Sequence, residues 1–149
     1  MLTAVSLKRL MGELKQMERE PPALVELTSY DNVNVWTMSM EGAKATLYAG
    51  ERFSLRFRFP DSYPFEAPEV MFVGAAPVHP HIYSNGHICL SILYNQWSPA
   101  LTVEAICLSI LSMLSSCDKK EPPVGDARYV LTAAQSPKDT IWRFDDDSV

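Results

Sequence analysis

His79-Pro80-His81-Ile82-Tyr83-Ser84-Asn85-Gly86-His87-Ile88-Cys89-Leu90 gathers all three histidines of the chain and one of its three cysteines. Pro80 removes a backbone donor and fixes its own φ. Ser84-Asn85-Gly86 is a turn signal, and Gly86 can take a positive φ at no steric cost. The pattern is neither that of a helix nor that of an ordinary strand, so these side chains are not spaced for periodic core packing. A cysteine in such a loop is a candidate reactive thiol. The other two cysteines read differently. Cys107 lies on the apolar stripe of a helix as a small buried hydrophobe. Cys117 follows near the end of that helix with nothing beside it to activate it.

Outward from this loop the chain is strongly patterned. Leu7, Leu10, Met11, Leu14 and Met17 recur at helical spacing and predict a helix over Thr3 to Arg19, ended by Pro21-Pro22. Lys8, Arg9, Lys15 and Arg19 lie off that stripe, on a solvated or docking face. Three strands are marked: Asp31 to Met40, rich in Val, Thr and Trp; Arg52 to Phe59, which alternates strictly; and Glu69 to Val73. Hairpin-length links argue for an antiparallel meander covered by helices on one face. A second helix opens at Thr102, a good N-cap, with Glu104 in its first turn. Val103, Ile106, Cys107, Ile110, Leu111 and Leu114 form its stripe. Beyond Pro122-Pro123 the signal weakens, because Gly125 and Pro137 interrupt any long helix.

The bulk properties narrow the function. The 149 residues, 47% apolar, fit one domain over 1–149 with a real core. A net charge of −5 argues against nucleic-acid binding. No stretch is long and apolar enough to span a bilayer, so no membrane partner is expected. An odd number of cysteines without a secretory signal reads as reduced thiols in the cytoplasm or nucleus.

The loop also resembles the active-site segment of ubiquitin-conjugating enzymes, which reads His-Pro-Asn, a turn with Asn-Gly, then Ile-Cys-Leu. The match falls on His79, Pro80, Asn85, Gly86, Ile88, Cys89 and Leu90, with His81 in place of the motif's Asn. Tyr63-Pro64-Phe65 with Pro68, and Trp97-Ser98-Pro99-Ala100-Leu101, resemble the family's turns before and after the active site, and residues 5 to 120 follow in order. His81, Ser91, and Ile141-Trp142-Arg143-Phe144 before Asp145-Asp146-Asp147 are similar to the W-type branch, which attaches ubiquitin to substrate amino termini.

That resemblance implies an α/β fold of the α+β kind, with a four-stranded antiparallel meander, an N-terminal helix and a helix across the sheet. Residues 124 to 149 depart from the two further helices usual in the family. It implies Cys89 as the nucleophile that accepts ubiquitin as a thioester from the activating enzyme, with no metal, nucleotide or other cofactor of its own. Thioester exchange needs no strong general base, which suits the lack of an ordered Cys-His-Asp series. It implies His81 as an oxyanion donor or loop brace, since an imidazole N–H can donate as an amide can. His79, Pro80, Asn85, Leu90, Ser91 and Trp97 would support the loop, with Trp97 packed beneath it. Pro64, Phe65, Pro99 and Ala100, with Lys8 and Arg9, would meet RING or U-box ligases. The Arg52, Arg56 and Arg58 face is a solvated sheet surface or a place for a second ubiquitin.

Ser91 offers no carboxylate to help deprotonate an incoming amine. A lysine amine with a pKa of about 10.4 is neutral roughly once in a thousand at pH 7.4, whereas an α-amine near 7.7–8.0 is about a fifth to a third neutral. This agrees with what the W-type resemblance implies: the expected acceptor is the N-terminal α-amine of a flexible substrate, as monoubiquitination, with Trp142, Asp145, Asp146 and Asp147 holding the peptide. Lysine-directed conjugation is the alternative. Two other readings start from the loop alone. His79, His81, His87 and Cys89 offer four zinc ligands, though the one-residue gaps are awkward for a structural site. Cys89 with one histidine could also serve a cysteine hydrolase.

Overall fold

The computed structural model describes residues 1–144; the expected roles of Asp145, Asp146 and Asp147 lie outside the described residues. Helix α1 spans Ala4–Arg19, and the Thr3 side chain caps it by accepting from the Ser6 amide. Leu10, Leu14 and Met17 are buried, while Leu7 and Met11 fall on an exposed shoulder. The stripe is narrower than expected because Ser6 takes the fourth buried place, donating its hydroxyl to the Asp61 carbonyl at 2.7 Å.

Four antiparallel strands follow in sequence order: β1 Val25–Asn32, β2 Val35–Glu41, β3 Arg52–Arg58 and β4 Glu69–Val73. The expected single strand from Asp31 to Met40 is corrected here. It is broken at Val33-Asn34, and residues 31–32 belong to β1, which the sequence pattern had not marked. Strict alternation makes the inner face of the sheet. Trp36 pairs with Phe57, Met38 with Leu55 and Met40 with Phe53, and β3 then sets Leu55 beside Phe72 and Phe57 beside Val70. All are buried. Each such side chain contributes roughly 1.5–3 kcal/mol by leaving water.

Helix α2, Val103–Ser115, shares this core, and its Cys107 thiol lies 3.8 Å from Met38 Sδ. Burial pushes the Cys107 thiol up to about 12, so it stays protonated and inert. On the outer sheet face Arg52 and Arg58 are exposed, while Arg56 lies 3.8 Å from Glu69 and donates to Met71 Sδ.

After α2, Gly125 takes a φ of 77° and opens α3, Asp126–Thr132, seven residues with none buried. From there the described chain runs to Phe144 without another α-helix. It folds back over the sheet end: Pro137 is buried, and the Lys138 ammonium donates to Glu66 Oε1 and the Ala67 carbonyl, both at 2.8 Å. That ammonium holds the Glu66 carboxyl below its ordinary range. Among the described residues no helix is long and apolar enough to cross a membrane.

Candidate active site around Cys89

The loop that carries Cys89 is built by its own polar backbone. Asn85 Oδ1 accepts from the His87 amide, and Gly86 N–H donates to the Tyr83 carbonyl at 2.9 Å. Gly86 has a φ of 94°, and a Cβ there would sit 2.0 Å from the Phe72 carbonyl oxygen, so only glycine lets the loop lie against β4. The Phe72 amide donates back to the Gly86 carbonyl. The Cys89 amide donates to the His81 carbonyl at 2.8 Å, tying the two halves of the loop together. Ile82 and Ile88 anchor the loop in the core and leave Cys89 half-exposed.

Two histidines have set roles. His79 is buried: its Nε2 faces the Met113 carbonyl at 3.1 Å and its Nδ1 accepts from the His81 amide at 2.9 Å. His87 is also buried, between the Gln135 carbonyl and the Tyr129 hydroxyl. Desolvation lowers the pKa of both, and the nearby His81 lowers that of His79 further. With every ring nitrogen engaged, neither is placed to bind a metal or act as base for Cys89. Among the described residues no three His, Cys, Asp or Glu side chains gather as a metal site. The zinc and hydrolase readings lose His79 and His87 as free ligands or bases. His81 is half-buried and, with Pro80, Cys117 and Asp118, lines a cavity of about 200 Å³.

Around the thiol stands an aromatic wall. Tyr94 donates its hydroxyl to the Ile88 carbonyl at 2.8 Å, and Trp142 stacks on Tyr94 with centroids 5.0 Å apart. Phe144 stacks on the same ring at 6.4 Å, and Tyr83 stacks on Tyr129 at 3.9 Å. The Arg143 carbonyl lies 3.8 Å from Cys89 Sγ. Burial raises the pKa of Tyr83, Tyr94 and Tyr129, so these phenols remain neutral beside a thiolate.

A second feature lies on the α1 side. Val5, Lys8, Gly12 and Gln16 of α1 join Pro64, Phe65 and Pro99 around an open groove of roughly 780 Å³. Phe65 is 71% exposed, so it does not pack beneath its own loop, and Ala100 is exposed beside Pro99. Arg9 lines the groove but spends its guanidinium internally, on Glu13 and on the Pro99 and Leu101 carbonyls. Trp97, expected beneath the Cys89 loop, is half-buried against the core. Its indole donates to the Pro64 carbonyl at 2.8 Å and lies against Tyr63, bracing the groove. Ser91 opens a short 3-10 turn whose first carbonyl accepts from Tyr94 and Gln96.

The family model described as ubiquitin-conjugating enzyme matches residues 9–144. The chain belongs to the ubiquitin-conjugating enzyme family. It is 56% identical over 146 residues to ubiquitin-conjugating enzyme E2 W of Caenorhabditis elegans, covering 95% of this chain and 96% of that one. It is 50% identical over 149 residues to a probable ubiquitin-conjugating enzyme E2 W of Dictyostelium discoideum, covering 99% and 100%. Among solved structures, ubiquitin-conjugating enzyme UbcA1 from Agrocybe aegerita superposes with a TM-score of 0.88 at 45% identity, covering 91% of this chain and all of that one. As a ubiquitin-conjugating enzyme the protein is a transferase, and enzymes of this kind work with ubiquitin, an activating enzyme and ligases. The α+β fold expected from the loop is the one observed.

Residues to which the sequence reading gave no site role also shape the surroundings of Cys89 and of the groove. Asp126 accepts from the Ser84 amide at 2.8 Å and so caps the Cys89 loop from α3. Glu13 links α1 to the Tyr63 hydroxyl and the Val103 amide. Tyr94, Tyr83 and Tyr129 build the wall. The one sequence signal for them was aromatic residues falling in segments without periodicity, where core packing does not call for them.

Proposed function

We propose that Cys89 accepts ubiquitin as a thioester from the activating enzyme and passes it to the N-terminal α-amine of a substrate, with a RING or U-box ligase seated in the groove of Lys8, Pro64, Phe65, Pro99 and Ala100. The observation that carries the acceptor reading is the run of Trp142 and Phe144 on Tyr94 with the Arg143 carbonyl beside Sγ. The chain's own backbone lies beside the thiol there, against neutral phenols, and a substrate's flexible end would take the place of that segment or lie along it. That is a setting for a flexible chain end rather than for a lysine projecting from a folded surface. The high identity to E2 W proteins points the same way. His81 acts in the loop as brace or oxyanion donor, Asp145 to Asp147 attract the cationic N-terminus, and the enzyme works in the cytoplasm or nucleus.

The test charges the enzyme and offers a protein substrate carrying both a free N-terminus and lysines, with the modified site read by mass spectrometry. Ubiquitin is expected on the α-amine, with most transfer lost when that amine is acetylated. Cys89→Ser serves as the control that forms a non-reducible ester or nothing. Modification mainly on lysines, equal for the acetylated substrate, favours the lysine-directed alternative. Normal reducible charging of Cys89→Ser removes Cys89 as the carrier.

A further inference from the structure

His87 of the Cys89 loop is 2% exposed, and its two ring nitrogens join that loop to α3 and to the segment after it. Nε2 meets the Gln135 carbonyl at 3.0 Å and Nδ1 meets the Tyr129 hydroxyl at 2.8 Å. A carbonyl only accepts, so Nε2 carries the hydrogen, and Nδ1 of the neutral ring accepts from the phenol. The phenol's single proton is then spent, so Thr140 donates to the Tyr129 oxygen at 2.8 Å. The donors run one way, from Thr140 to Tyr129 to His87 to Gln135. Two residues past Thr140, Trp142 stacks on Tyr94, and the next carbonyl is the one beside Cys89 Sγ.

We propose that His87 and Tyr129 are positioning residues, a latch that holds residues 141–144 across Cys89 and sets access to its thiol. With the latch closed, one side of Sγ is occupied by the protein's own backbone. An incoming thioester or alkylating reagent reaches the sulfur after that segment lifts. His87 stands two residues before Cys89, so the latch acts on the loop that carries the nucleophile. The inference takes Cys89 as the working thiol, as the reading above does. It concerns the uncharged enzyme, though, and holds whichever amine receives ubiquitin.

The experiment follows alkylation of the full-length, uncharged protein by iodoacetamide, resolved at Cys89 and Cys117 by mass spectrometry. Tyr129→Phe removes the phenol oxygen but keeps the ring that lies 3.9 Å from Tyr83. Losing two neutral hydrogen bonds should raise the Cys89 rate about five- to a hundredfold. Cys117 should stay within about twofold, on the same scale. Thr140→Val cuts the same chain at its other end and should raise the Cys89 rate less, in the same direction. The acrylamide-quenchable fluorescence that Trp142→Phe removes should become more accessible in both variants. An unchanged Cys89 rate in both variants overturns the latch, as does a joint rise at Cys89 and Cys117, which marks general loosening. Should Tyr129→Phe fail to fold, Thr140→Val decides alone. Because the readout is alkylation, a failure of ubiquitin transfer onto α-amines leaves this result standing, and the reverse also holds.

Discussion

Replacing Glu13 with glutamine removes one charge and almost no volume. The carboxylate accepts three hydrogen bonds from separate parts of the chain. Oε2 takes Arg9 Nε at 2.8 Å and the Tyr63 hydroxyl, and Oε1 takes the Val103 amide at 2.7 Å. Val103 is the first residue of α2, so that amide has no partner within the helix. An amide side chain can accept on one end alone. With its oxygen toward Arg9 and Tyr63, its NH2 meets the Val103 N–H; turned over, it meets Arg9 Nε–H. Either way one donor is stranded. The stranded donor costs about 1–3 kcal/mol, and the lost charge assistance about as much. The Arg9 side chain is 29% exposed, so solvent screening lowers that second contribution. A net loss of about 2–4 kcal/mol is expected, or roughly 5–12 °C in melting temperature for a chain of this size. Urea unfolding with an unchanged m-value is the measurement. Because the same carboxylate joins α1 to the Tyr63–Phe65 turn, ligase-stimulated transfer should fall as well. A Glu13→Gln protein within about 0.5 kcal/mol of the parent would refute the reasoning, since that is what an ordinary surface change costs.

Phe65→Ala should lower ligase-stimulated transfer by about ten- to a hundredfold, as expected for an exposed aromatic anchor, while charging from the activating enzyme stays within about twofold. Equal losses in both steps would make Phe65 a structural residue. Stability should also fall in mild acid. His79 and His87 are held neutral by burial, with folded pKa values below the unfolded one. Their contribution is complete above about pH 6.5 and is lost as the pH drops from there toward the folded values, because the unfolded chain takes up protons first. The slope in that window can reach about 2.7 kcal/mol per pH unit with both histidines titrating. Flat urea midpoints between about pH 7.5 and 5.5 contradict it.

What could be read from the sequence follows from how each element earns its burial. β3 was plain because Phe53, Leu55 and Phe57 alternate with polar residues, and both of its neighbours pair with it. β1 was hidden because it is an edge strand: only Val25 is buried, and irregularities break its pairing after Leu27 and again after Ser29. A strand with one buried side chain leaves no period to find. The turn at Val33-Asn34 was masked for a related reason. The run Asn32-Val33-Asn34-Val35 mimics the alternation of a strand while reversing the chain.

The site divides along the same line. Its local part, the Asn85-Gly86 turn and the half-exposed Cys89, is encoded by neighbours in sequence and could be read there. The groove joins α1, the Tyr63–Phe65 turn and the Pro99 loop, and was found only because each piece resembled a known segment. Nothing in the sequence pointed to the contacts between His87, Tyr129, Gln135 and Thr140. They join residues up to 48 positions apart through hydrogen bonds between irregular segments. Such contacts leave neither period nor motif, yet they decide what lies against the thiol. The sheet and helices hold the Cys89 loop in place, and the segment after α3 sets part of what lies against the thiol. That segment has the least periodic sequence in the chain, and its contacts with the Cys89 loop are where the chemistry of this branch is to be sought.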